Sequence, residues 1–153
     1  YQVGTGFMVG SPWQTMANLL EDLAFIRELQ PQMIGIGPFI PHHATPFKNY
    51  PAGTLEQTLT LLSVLRLMFP KVLLPATTAL GTIVPNGREL GILAGANVVM
   101  PNLSPADVRQ NYLLYDNKLC SGAEAAEAKN DLAARLHSIG YEIAEGRGDY
   151  KES

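Results

Sequence analysis

The chain has 153 residues, of which 46% are apolar and only 16% charged, and carries a net charge of -3. That length supports one domain with a sizeable core, while so low a charge leaves more surface than usual to be covered by something else. There is no basic run for nucleic acid, no apolar stretch approaching the roughly 18 to 20 residues of a membrane helix and no signal-peptide layout, and the single Cys120 excludes an internal disulfide. One free thiol fits a reducing compartment, so a cytoplasmic location is expected.

The elements alternate strand and helix. Tyr1 to Val9 reads as a strand. The chain opens on Tyr1 inside an apolar segment, so an N-terminal half is expected to precede it, whereas the polar Gly148 to Ser153 reads as a true end. Ser11-Pro12-Trp13-Gln14 predicts a helix start with Ser11 as N-cap, Pro12 at the first helical position and Gln14 closing a capping box. Leu19, Leu20, Leu23, Phe25 and Ile26 supply an apolar face until Pro31, and Gln32 to Ile36 is a second short strand. The prolines of Gly37 to Phe47 predict a long loop that is neither helix nor central strand. Thr54 to Gln57 predicts another capping box, with a helix through Leu55, Leu59, Leu62, Leu65 and Met68 to Pro70. Val72 to Leu74 is the third strand, ending at Pro75; a helix follows over about Asn86 to Ala94, and Gly95-Ala96-Asn97 turns the chain. Val98 to Met100 is the fourth strand, and a last helix runs from about Gly122 to Ser138, capped by Ser121.

Short apolar strands each followed by a helix predict parallel pairing. Longer loops rich in Gly, Pro and Thr follow the strands, which is the asymmetry of a (β/α) barrel whose site lies at the C-terminal strand ends. Four such units make half of a barrel and leave two open edges. The alternative is a small doubly wound sheet, but no strand is followed by a glycine-rich phosphate fingerprint; Gly4, Gly6 and Gly10 have a different spacing and lie in the strand itself.

The candidate chemistry is sparse. One Cys and three His make no strong metal constellation, and adjacent His42 and His43 in an extended loop point apart as a solvated pair. The strand ends carry Met, Gly, Pro, Thr, Asn and Tyr, a set that holds a ligand through backbone groups, hydroxyls and apolar contact. Thr77 and Thr78 offer two hydroxyls and two N–H groups, suited to a carboxylate or other anion, and equally to capping a turn. Met33 and Met100 have the ordinary role of core packing. The same holds for Tyr112 and Tyr115, three apart on a helical turn begun at Ser104-Pro105.

The strings GFMVGSP, MIGIGPFIPH, PATTALGT, GRELGILAGANVVMPNLSP, YLLYDNK and IGYEIAEGRGDYKE, taken in order, resemble the HydE-type maturases, radical S-adenosylmethionine enzymes that help assemble the organometallic cofactor of [FeFe] hydrogenase. Biotin synthase and methylornithine synthase are similar barrels, from which PATTALGT, NVVMPNLSP and YLLYDNK set this chain apart. The resemblance implies an α/β fold that is half of a (β/α)8 TIM barrel, its last four βα units plus a C-terminal helix. Residues 1–153 would be the C-terminal half of that domain. It implies S-adenosyl-L-methionine as cofactor and a [4Fe-4S] cluster held by a CxxxCxxC motif in the missing N-terminal half, with the arginine and glutamate that contact S-adenosylmethionine there too. It also implies a substrate and anion site at Thr77 and Thr78, lined by Met33, Met100 and Tyr112, and a wall beside the adenine formed by Pro38 and Ile40 with Met8 and Ile36. Cys120 matches the first of three auxiliary-cluster cysteines in some members, but Ala128 and Asp131 stand at the other two, so Cys120 is a lone remnant and no metal is expected in this chain.

The implied substrate is a small cysteine-bound iron carbonyl–cyanide species, and the implied partners are companion maturases, a scaffold GTPase and a tyrosine lyase. Two readings stand beside this one: a methylornithine synthase-like or biotin synthase-like enzyme, and a non-catalytic module that binds an anionic small molecule.

Overall fold

The computed structural model describes residues 1–101, 115–116 and 125–151. Tyr112, Cys120, the Ser104-Pro105 turn and the Ser121 cap lie outside them.

Among the described residues four strands, β1 (Gly4–Val9), β2 (Met33–Pro38), β3 (Pro75–Ala76) and β4 (Val98–Val99), alternate with helices α1 (Met16–Leu29), α2 (Leu55–Met68), α3 (Thr78–Ile83), α4 (Gly87–Leu93) and α5 (Ala125–Ser138). β1 pairs with β2 and β3 with β4, both parallel, and a parallel bridge from Met33 to Leu73 links β2 to the segment leading into β3. The strands therefore run side by side in chain order, as the βα rhythm requires when each crossover returns to the neighbouring position. The fold is mixed α/β with small parallel sheets.

Burial alternates along β2. Ile34, Ile36 and Pro38 are buried, while Met33, Gly35 and Gly37 lie on the other face, half-covered. Ile34 and Ile36 pack with Val9, Leu19, Ile26, Leu61, Leu62, Leu65, Leu74 and Leu80 into the main core. A second cluster joins Ala76, Ile92 and Ala96 to Leu132 and Leu136, which seats α5 against β3 and α4. Arg135 fastens the same contact, donating to both oxygens of the nearly buried Glu89 carboxylate and to the Pro85 carbonyl. Asn97 completes the β3–β4 junction: its Oδ1 accepts from Leu74 N–H at 2.8 Å and its Nδ2 donates to the Val72 carbonyl at 3.3 Å.

Several boundaries differ from the sequence reading. The first helix is capped by Thr15, whose hydroxyl accepts from Asn18 N–H while Asn18 closes the box. Ser11 to Gln14 is a turn instead, because Gln14 turns back to take the Gly10 N–H at 2.7 Å and donate to the Met8 carbonyl at 2.9 Å. β2 extends through Pro38, whose missing N–H costs nothing at a strand end. The third strand begins at Pro75 rather than ending there. The helix α3 is not anticipated at all. No described helix is long and apolar enough to cross a membrane.

Candidate functional site

A cavity of about 750 Å³ opens at the C-terminal ends of β1 and β2. Gly6, Gly35 and Gly37 contribute backbone, Met8, Ile36, Pro38, Phe39, Ile40 and Phe47 contribute apolar surface, and Thr77, Thr78, Thr45, His42 and Tyr115 contribute polar groups. Few polar groups on a mostly apolar wall is the usual make-up of a small-molecule site.

The elements explain the placement. The Phe39 N–H donates to the Val9 carbonyl at 2.8 Å and Gly53 N–H returns to Phe39 at 2.8 Å, which folds the loop after β2 over the end of β1. Gly53 lies so close that a Cβ there would meet the Val9 carbonyl oxygen at 2.0 Å. On the far wall, β3 delivers Thr77 and Thr78 directly at the start of α3.

Thr77 occupies the N-cap position of α3, yet its hydroxyl makes no capping bond. Its Oγ1 is buried without a hydrogen-bond partner among the described residues. It rests over Gly37, where an added Cβ would approach Oγ1 to 2.7 Å. Thr78 is the first residue of α3, and its Oγ1 accepts from Arg88 Nη2 at 3.3 Å. So the turn-cap role open in the sequence is not the one these hydroxyls fill: one is unused and the other is engaged by a cation. Burial pushes the Arg88 guanidinium below its usual range; Arg135 adds to this, and Glu89 and Tyr115 oppose it.

At the mouth, His42 and His43 do not point apart. Their rings stack with centroids 4.4 Å apart, because Pro41 to Thr45 is a turn closed by Thr45 N–H on the His42 carbonyl at 3.0 Å, not an extended strand. Asp116 arrives from far along the chain: its Oδ1 lies 2.7 Å from His43 Nδ1, its Oδ2 accepts from His43 N–H at 2.8 Å, and its own N–H donates to Pro41 at 3.2 Å. The hydrogen bond from His43 holds the Asp116 carboxyl below the ordinary carboxylate range. His42, His43 and Asp116 bring ligand atoms within 4.8 Å of one another. His43 and Asp116 clasp the two loops together, while His42 Nδ1 accepts from the Ala44 N–H of its own loop at 3.1 Å.

Thr77, Thr78, Met8, Ile36, Pro38 and Ile40 thus share one cavity. Met33 opens β2 at the opposite end from Pro38, and Met100 follows β4 with 54% of its surface exposed; neither lines the cavity. Arg88 was missed by sequence reasoning. Its one signal is a charged pair, Arg88-Glu89, between Gly87 and Leu90 in a chain poor in charge.

No family model matches the chain. Over 120 residues, 78% of the chain, it is 49% identical to the [FeFe] hydrogenase maturase subunit HydE of Thermotoga maritima, of which it covers 34%. It is 37% identical over 89 residues, 58% of the chain, to the 3-methylornithine synthase of Methanosarcina barkeri, covering 25% of that protein. A third relative, the 3-methylornithine synthase of Methanosarcina acetivorans, is 26% identical over 94% of the chain and covered to 39%. The chain spans about a third of the length of the relatives it matches.

Proposed function

From the premise that this chain is a relative of the HydE maturase subunit, we propose that it is the substrate-holding part of a radical S-adenosylmethionine enzyme that matures the [FeFe] hydrogenase cofactor. The carrying observation is the threonine pair. Thr77, whose buried hydroxyl has no partner among the described residues, and Thr78, whose hydroxyl is held by Arg88, line a largely apolar cavity, which suits one anionic group on a small ligand. A carboxylate of a cysteine-bound iron carbonyl–cyanide species fits that demand.

The parallel strands in chain order, with Met33, Gly35 and Gly37 half-covered on the face opposite the buried Ile34 and Ile36, support a half (β/α)8 barrel whose remaining strands close over that face. Such closure makes the face a lumen wall and brings Met33 and Met100 to the same interior; Tyr112 completes the proposed lining. The apolar wall of Met8, Ile36, Pro38 and Ile40 fits the adenosyl group of S-adenosylmethionine. When bound and reductively cleaved, that cofactor supplies a carbon-centred radical. A [4Fe-4S] cluster does not fit these residues, since it needs three cysteines and the sequence has one. The reading therefore assigns the cluster to a CxxxCxxC segment outside these 153 residues. Companion maturases, a scaffold GTPase and a tyrosine lyase, are the proposed partners, and the cytoplasm the proposed location.

The test is anaerobic. A polypeptide carrying these residues together with such a segment, reconstituted with iron and sulfide, is expected to cleave S-adenosylmethionine, and added L-cysteine is expected to alter the rate. Thr77→Val/Thr78→Val is expected to weaken the L-cysteine response by roughly tenfold or more. A loaded cluster with no cleavage overturns the reading. The similarity to 3-methylornithine synthases supports a second reading with the same chemistry and an amino-acid substrate; L-lysine in place of L-cysteine as the effective ligand would favour it.

A further inference from the structure

Among the described residues three arginines lie close to the core, and two of them reach several acceptors, although Arg66 Nη2 is buried without a partner. Arg66 donates to the carbonyls of Gly95, Phe69 and Pro70. Arg135 donates to Glu89 and Pro85. Arg88 is different. Among the described residues its one hydrogen bond is to the Thr78 hydroxyl, its Nε is buried without a partner, and no carboxylate lies within ion-pair distance. The adjacent carboxylate, Glu89, is already taken by Arg135.

A guanidinium only donates, so the Thr78 oxygen must accept from it. That contact occupies a lone pair of the hydroxyl and leaves its proton to be donated elsewhere. Thr78 lines the cavity and Arg88 does not. A half-buried cation with no ion-pair partner among the described residues therefore stands directly behind a hydroxyl that lines the ligand space. Uncompensated charge at such a place is costly, and an anion on the far side of the hydroxyl offsets that cost.

We infer that Arg88 is the positioning residue of the anion site: it fixes the Thr78 hydroxyl as a donor and supplies the positive charge that makes the site select a carboxylate over a neutral group. This rests on the reading of Thr77 and Thr78 as an anion site. Arg88 touches no substrate; it acts through Thr78. The Thr77 hydroxyl, with no partner of its own, is the second donor of the same site.

The experiment is calorimetric titration of the chain with L-cysteine and with L-cysteine methyl ester, which keeps the thiol and amine and lacks the carboxylate. Wild type is expected to prefer the acid. Arg88→Gln is expected to lose that preference by roughly tenfold while ester binding stays as it was, and Arg88→Lys, which keeps the charge, is expected to retain most of it. Thr78→Val/Arg88→Gln is expected to bind the acid no more weakly than Thr78→Val alone, since the arginine works through the hydroxyl. If Arg88→Gln does not give the wild-type thermal transition by circular dichroism, Arg88→Met, which keeps the buried stem, takes its place. A folded variant without the guanidinium that still prefers the acid as wild type does overturns the role of Arg88 and leaves the threonine site standing. A wild type that does not distinguish acid from ester fails at an earlier point and overturns the anion site together with it.

Discussion

Gly37 and Thr77 touch across the gap between two strands, and little else decides where the Thr77 hydroxyl sits. Gly37→Ala places a methyl 2.7 Å from that oxygen, so the side chain must turn away. The expected outcome is a loss of roughly 1 to 3 kcal/mol in urea-measured stability, with weaker L-cysteine binding in calorimetry. A second residue-scale expectation concerns pH. The Asp116 carboxyl is held below its ordinary range by His43, so its folded pKa is the depressed one. The clasp is then fully present above the ordinary aspartate pKa and is lost as pH falls through the lower, folded value. Carboxyl NMR of Asp116 should titrate below the usual range in wild type and return to it in His43→Ala. At this scale the threonine pair was legible as adjacent hydroxyls after a strand, whereas the apolar residues that line the same cavity were named through the family resemblance. Arg88 was not legible: it meets Thr78 from another helix, and only the packing of α4 on α3 brings them together. The histidine pair was misread because alternation was assumed where the backbone turns.

Among elements, the strand–helix alternation was legible from hydrophobic period and caps; Thr54 caps α2 by accepting from Gln57 N–H, but the return bond from the Gln57 side chain that a capping box needs is not made among the described residues. α3 was hidden. Its six residues, Thr78–Ile83, include Gly81 and three β-branched residues, all weak helix formers, and it exists because Leu80 is fully buried in the main core. Tertiary burial overrides propensity there. Leu62→Ala, on α2 with no exposed surface, is expected to cost roughly 2 to 5 kcal/mol in denaturant unfolding. Arg135→Met should cost roughly 2 to 3 kcal/mol, less than a fully buried pair would, because it strands Glu89 in the interface while Arg135 itself is partly hydrated. Glu89→Gln/Arg135→Met should recover part of that loss, which a double-mutant cycle will show.

The whole molecule presents more apolar surface than its core needs. Met16, Leu20, Phe25 and Leu29 of α1 are exposed, as are Met8 and Met100 at the strand ends. β1 pairs on one side only among the described residues. Open strand edges beside apolar surface invite further pairing. The 153-residue chain alone is therefore expected to self-associate with rising concentration in sedimentation velocity. A monodisperse monomer that unfolds cooperatively would count against the half-barrel proposal. Sequence composition hinted at this through its low charge, but which surface is left open depends on strand order, which only the structure gives.

The glycines beneath the cavity constrain how this protein can diverge. At Gly6 a side chain would strike the Gly35 carbonyl oxygen at 1.9 Å, and at Gly37 it would strike Thr77, so these two positions resist change. Gly35 has open space above it, and any side chain there would occupy the ligand's room. Drift in ligand preference must then come from the loops around the mouth, the Pro41 to Phe47 turn above all, while the floor stays fixed. A lineage could retune its chemistry by trading rim residues without disturbing the scaffold that positions them.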